Sequence, residues 1–276
     1  MPYITNNKQG KEVKIFYQDH GTGQPVVLIH GWPLSHSSWE MQMPAIVNAG
    51  FRCISYDRRG FGKSDMPWES YDYDTLAADL DALITQLDLH NVVLIGFSMG
   101  GGEVVRYLSN YGKDRIAKAG LIASIIPLVA QKPDNPDGVP AEELDKIMKA
   151  LREDRVGFLT DFHKNFYGVG LISKPVSQGR LDSDFIVASQ AGGNPTIKAA
   201  EAWGGTDFRP ELKNVTVPTL IVHGDEDRIV PIKTSGEQAS KAIADNEYHV
   251  IEGAPHGLNV THTEELNNIL VAFLKK

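Results

Sequence analysis

A serine hydroxyl attacks carbonyl carbon at neutral pH only where a base takes its proton and a third group holds that base in the right tautomer. The run Gly96-Phe97-Ser98-Met99-Gly100 fits G-x-S-x-G, the signature of a sharp strand-to-helix turn that presents such a serine. Asn91-Val92-Val93-Leu94-Ile95 precedes it without polar alternation, as expected of a strand buried on both faces. Gly101 to Leu108 follows at helical spacing. A turn this tight needs small residues two positions either side of the serine, and both are glycine. A phosphate-binding loop would need Gly-Lys-Ser/Thr after the glycines, and the chain has Gly102-Glu103 instead.

The base and acid are sought after later strands. His256 lies in Gly253-Ala254-Pro255-His256-Gly257, beyond an apolar run at 247–251. Asp225, Glu226 and Asp227 follow the run at 218–222. Serine, acid, histidine is the chain order this arrangement requires. Asp227, at the tip before Arg228-Ile229-Val230-Pro231, is the better placed acid. Asp225 is the alternative, otherwise read as a carboxylate that fixes its own turn. The preceding strand ends in Ser124-Ile125-Ile126-Pro127, with no carboxylate to offer. An oxyanion needs two N–H donors: one from Met99, the other from Trp32 in His30-Gly31-Trp32-Pro33 after the run at 25–29. Pro33 has no N–H to give and restricts Trp32 to extended backbone. His30 is expected to brace this loop.

The elements that must position these groups alternate. Strands are expected at 12–18, 25–29, 51–57, 91–95, 116–124, 218–222 and 247–251, and helices at 74–89, 234–244 and 262–274. That alternation predicts an α/β fold with a mostly parallel central sheet flanked by helices. Between 127 and 214 the strands stop, and helices are expected near 141–152, 155–166, 182–191 and 195–203. We read 1–126 and 215–276 as two parts of one core and 127–214 as a helical cap over the strand ends, where such sheets bind ligands.

Composition narrows the function classes. The net charge of -8 and the lack of a Lys/Arg cluster argue against nucleic acid. The single cysteine, Cys53, leaves no disulfide framework or cysteine zinc site. No basic-then-apolar leader opens Met1-Pro2-Tyr3-Ile4-Thr5, and no apolar run is long enough for a membrane span, so a cytoplasmic protein is expected. Assembly into a homo-oligomer stays open.

Taken together, His30-Gly31-Trp32-Pro33-Leu34, Tyr56-Asp57-Arg58-Arg59-Gly60-Phe61-Gly62-Lys63-Ser64, Gly96-Phe97-Ser98-Met99-Gly100-Gly101-Gly102-Glu103 and Gly253-Ala254-Pro255-His256-Gly257-Leu258 resemble the cofactor-free bacterial haloperoxidases, or perhydrolases. These lie within the α/β-hydrolase superfamily, close to aryl esterases and γ-lactam hydrolases. The resemblance spans nearly the whole chain and is least distinctive in the cap. It implies an α/β-hydrolase fold with about eight strands, Ser98, Asp227 and His256 as a triad, and Trp32 and Met99 as oxyanion donors. It implies no cofactor or metal, and a small ester or acyl substrate with water or hydrogen peroxide as acceptor. Pro33, Phe158, Phe162, Ile229 and Leu258 are the substrate-pocket candidates. Aspartate-dependent dehalogenases and epoxide hydrolases share the architecture, but Ser98 occupies the nucleophile position here. A γ-lactam hydrolase on the same triad, or a receptor that binds without turnover, are the alternative readings.

Overall fold

The computed structural model describes residues 2–7 and 12–276; Met1, part of the amino-terminal stretch considered above, lies outside them. Among the described residues eight strands form one sheet in the order β1-β2-β4-β3-β5-β6-β7-β8. They are β1 (Tyr3–Asn6), β2 (Val13–His20), β3 (Pro25–Ile29), β4 (Arg52–Tyr56), β5 (Val92–Phe97), β6 (Ile116–Ile122), β7 (Thr219–Gly224) and β8 (Asn246–Ile251). Only β1 with β2 and β2 with β4 pair antiparallel; the other pairs are parallel. The difference follows from sequence. The residues of β5 and β7 are buried throughout, as interior parallel strands require, whereas β2 keeps exposed and half-buried positions near the sheet edge.

Helices α1 (Met43–Asn48), α2 (Tyr73–Gln86), α3 (Gly100–Tyr111), α7 (Gly236–Ala242), α8 (Leu258–Thr261) and α9 (Thr263–Leu274) accompany the strands. Asp72 starts α2 by accepting a hydrogen bond from the Thr75 N–H at 2.9 Å. The chain passes from β3 to β4 on one side and then crosses to β5 on the other. The carboxyl ends of β3 and β5 therefore border the crevice where an open α/β sheet binds ligands.

Between β6 and β7 stand α4 (Ala141–Phe166), α5 (Gln178–Gln190) and α6 (Gly193–Gly205). The two helices expected at 141–152 and 155–166 are the halves of α4, broken at Asp154, whose φ of -150° and ψ of 80° leave the helical region. Asp154 then accepts the Gly157 N–H at 2.9 Å and restarts the turn. The carboxyl-terminal helix expected at 262–274 is α9, and a short helix not expected from the sequence, α8, precedes it across His262. Among the described residues no helix is long and apolar enough to cross a membrane.

Candidate active site

Ser98 sits between β5 and α3 with a φ of +53°, a left-handed conformation that costs a residue bearing a Cβ. Its flanking glycines allow the turn by close approach rather than by flexibility. A Cβ on Gly96 would lie 2.5 Å from the Gly101 nitrogen, and one on Gly100 would lie 2.5 Å from the Ile29 carbonyl oxygen. A side chain at either position would push α3 away from the sheet.

Three segments distant in sequence meet here. The Ser98 hydroxyl lies 2.9 Å from His256 Nε2, and His256 Nδ1 lies 2.6 Å from Asp227 Oδ2. A carboxylate only accepts, so Nδ1 carries the proton and Nε2 is free to take one from the serine. All three residues are buried. Asp227 Oδ1 accepts the backbone N–H groups of Ile229 at 2.9 Å and Val230 at 2.8 Å. Burial opposes the charge on Asp227, but His256 and His223 beside it outweigh that and hold its carboxyl well below the ordinary range. Asp225 faces elsewhere: its Oδ1 accepts the Gly253 N–H at 2.6 Å and ties the β7 loop to the β8 loop. Of the two aspartates, only Asp227 bonds the histidine.

The rings of Phe97 and Phe166 flank His256 at centroid distances of 5.2 and 5.0 Å. The Gly257 N–H donates to the Phe166 carbonyl at 2.8 Å, so the end of α4 is fastened to the residue that follows the histidine.

The backbone N–H groups of Trp32 and Met99 have no protein acceptor among the described residues. Gly31 lies close enough to Ser98 that a Cβ on it would come within 3.1 Å of the serine Cβ. The loop carrying Trp32 is held from behind by a buried polar network. His30 Nε2 accepts the Arg58 N–H at 3.0 Å, which leaves its Nδ1–H to donate to the Gly31 carbonyl at 2.8 Å. Burial, then the Arg58 charge, lowers the His30 pKa to about 3, so the ring is neutral. Arg58 also donates to the His30 carbonyl at 2.7 Å and to Glu103 of α3 at 2.6 Å, while the Tyr56 hydroxyl donates to the other Glu103 oxygen at 2.5 Å. His30 thus braces the loop, as its position in the sequence suggests. The network joins that loop to the helix that begins beside Met99.

A cavity of about 10 Å³ opens at the serine, lined by Trp32, Ser98, Ile125, Phe162, Trp203, Ile229, Val230 and His256. An outer cleft of about 400 Å³ shares Trp32, Phe162, Trp203 and Ile229 with it and adds Phe158, among others. Trp32 stands at the junction. Its ring contacts Phe158, Phe162 and Trp203 at centroid distances of 6.3, 5.2 and 5.9 Å, and its indole N–H donates to the Thr196 carbonyl of α6 at 2.9 Å.

Residues 24–263 match the family model described as alpha/beta hydrolase fold. The chain belongs to the α/β-hydrolase family. This α/β-hydrolase is 41% identical to the non-heme chloroperoxidase of Kitasatospora aureofaciens over 96% of its own length and 97% of the relative's. It is 36% identical to the bifunctional esterase/perhydrolase of Acinetobacter calcoaceticus over the full length of both chains. The crystal structure of bromoperoxidase from Bacillus anthracis superposes with a TM-score of 0.96 at 45% identity, covering 99% of each chain. These similarities lie within the group that the sequence motifs resemble.

Of the pocket candidates, Phe162 and Ile229 line the chamber of this α/β-hydrolase and Phe158 the outer cleft. Pro33 and Leu258 line neither: Pro33 is buried after a cis bond to Trp32, and Leu258 is buried at the start of α8. Leu258 is two residues from His256, but the turn into α8 directs it to the core. Sequence reasoning missed Ile125, Trp203 and Val230 as wall residues, and Glu103 and His223 as partners of the site. Val230 carried a usable signal, since a turn anchored on Asp227 brings its next few residues along. Among the described residues no cluster of His, Cys, Asp or Glu has the makings of a metal site.

Proposed function

We propose that this chain is a cytoplasmic serine hydrolase that cleaves small carboxylic esters through an acyl-enzyme, with hydrogen peroxide as an alternative acceptor to water. The observation that carries the reading is the unbroken hydrogen-bonded line from Asp227 through His256 to Ser98, placed at a small apolar chamber. In this reading Ser98 Oγ attacks the ester carbonyl as its proton passes to His256 Nε2. Asp227 keeps the imidazole oriented and stabilises the positive charge that forms. The oxyanion is taken by the Trp32 and Met99 N–H groups, which no protein acceptor occupies. His256 then returns the proton to the leaving alcohol. Water, deprotonated by the same imidazole, releases a carboxylic acid; peroxide in its place releases a peracid, which can oxidise halide. The names of the relatives, a non-heme chloroperoxidase and an esterase/perhydrolase, support the pairing of these two outcomes.

The segment from α4 to α6 acts as a cap in this reading. It supplies Phe158, Phe162 and Trp203, which leave little room at the serine and more beyond it.

A short aryl ester assayed with and without peroxide tests the proposal. Ser98→Ala is expected to lose on the order of 10⁴-fold or more in both reactions, because triad members act as a unit. A purified, folded Ser98→Ala protein that kept a tenth of the activity would sink the serine mechanism.

A further inference from the structure

Asp227 carries more partners than a triad needs. Its Oδ1 takes two backbone N–H groups. Its Oδ2, already bonded to His256, lies 3.2 Å from Nε2 of a second buried histidine, His223, the next-to-last residue of β7. The same His223 Nε2 lies 2.9 Å from the Val230 carbonyl and 3.4 Å from the Ser235 hydroxyl, which itself donates to the Pro231 carbonyl at 2.7 Å. A carbonyl and a carboxylate accept only, so Nε2 must carry a proton. That N–H bonds the Val230 carbonyl and lies against the Asp227 carboxylate, so it faces two acceptors at once. One is the oxygen that holds His256; the other belongs to Val230, part of the chamber wall.

We propose that His223 is a positioning residue that shares Asp227 Oδ2 with His256 and so limits how strongly the carboxylate draws the catalytic proton. The proposal rests on the triad reading above. A carboxylate oxygen that faces two N–H groups offers less charge to each than it would offer to one. With the His223 donor gone, Asp227 would stabilise the His256 imidazolium more and make that ring more basic. Few other groups compete for this role. Among the described residues Asp225 turns to Gly253, Glu226 pairs with Arg228 at the surface, and His163 of α4 bonds the Leu159 carbonyl. The elements packed on His256 from β5 and α4 present the rings of Phe97 and Phe166.

Two variants separate this role from mere support. His223→Gln keeps an N–H at about the reach of Nε2, whereas His223→Asn is polar but one methylene too short to reach it. The measurement is the pH profile of kcat/KM for a short aryl ester, whose acidic limb reports the base of the free enzyme. For His223→Asn the limb is expected to move up by roughly half a pH unit or more, with kcat down about tenfold at its optimum. His223→Gln is expected to restore the limb to within about a tenth of a unit of the parent's. An Asn variant with lowered kcat but an unmoved limb would overturn the proposal, and so would a limb moved equally in both variants. If His223→Asn does not fold, the far-downfield proton resonance of the His256–Asp227 hydrogen bond, compared among parent, His223→Gln and His223→Thr, decides. A resonance shared by parent and His223→Gln but displaced in His223→Thr supports the role, and one that stays put in all three, or moves equally in both variants, refutes it. An active Ser98→Ala would instead overturn the triad reading itself.

Discussion

On the sheet side of Ser98, the loop carrying Trp32 is tied to α3 by charge: Arg58 and Glu103 form a buried pair, capped by Tyr56 and joined to His30. On the helical side, the same loop meets α4 and α6 through rings, and the Trp32 indole N–H donates to the Thr196 carbonyl. Buried charges are costly to desolvate and give little net stability, yet removing one partner strands the other at a cost of about 3–5 kcal/mol. Such a network tolerates almost no variation and fixes geometry. Ring packing has no such directionality, and a change of size there is absorbed by neighbours or left as space. On the function proposed above, the sheet side keeps the reaction constant and the helical side sets what enters.

Four substitutions probe that division. The largest effect should come from the acid. Asp227→Asn is expected to lower kcat by roughly 10³-fold or more through misorientation of His256. Asp225→Asn should leave turnover within a few-fold and weaken the loop junction at Gly253, seen as a lower thermal midpoint. A reversal of the two results would move the acid to Asp225 and detach the histidine's orientation from the geometry described here.

A smaller effect, and of a different kind, is expected at Phe162. Phe162→Leu enlarges the chamber at the serine without touching a polar group. The ratio of kcat/KM for a longer acyl chain over acetate should rise by about tenfold, with kcat for acetate changed by less. Equal loss on every ester would mean that α4 helps to hold the catalytic groups, and the two sides would no longer be separable.

The smallest effect is a slope. His30 is neutral in the fold, with its pKa lowered to about 3, whereas in the unfolded chain it titrates near 6.5. Between those values the unfolded state binds a proton that the folded state refuses, so stability falls as pH drops below about 6.5. This group contributes at most about 1.4 kcal/mol per pH unit. In urea unfolding between pH 6.5 and 4, His30→Gln should be less stable throughout but less steeply pH-dependent. Parallel curves for the two proteins would show that His30 is charged in the fold and that the loop is braced in some other way.

What the sequence made legible follows the same division. Ser98 and its glycines, His256 and the three-acid turn could all be placed because each is announced by local punctuation next to a buried strand. The buried, parallel interior of the sheet was implied by runs such as 91–95, which cannot face water, but the order of its strands was not. Glu103 was hidden. A glutamate in the first turn of a helix reads as a surface residue at the positive end of the dipole, and its partner Arg58 comes from a different strand-end loop. Only the adjacency of β4, β3 and β5 brings them together. His223 was hidden for a related reason, since a polar residue at a strand's end looks like the start of a loop. β1 escaped because four residues are too few to show a period, and it is defined by its pairing with β2. The single α4 in place of two helices reflects Asp154, which caps the second half while the chain runs on.

The junction between Phe166 and Gly257 has a practical consequence for anyone recombining relatives. A Cβ on Gly257 would lie 2.5 Å from the Tyr167 ring and 2.7 Å from that of Phe166, and the backbone bond between 257 and 166 adds to that fit. The last turn of α4 is therefore heritage of the histidine loop rather than of the helices that precede it. A chimera that imports a foreign helical segment needs its downstream seam in two places, with residues 163–168 retained from the parent that supplies Gly257. Cut anywhere between them, the transplant would carry new walls into the chamber and a displaced histidine with them.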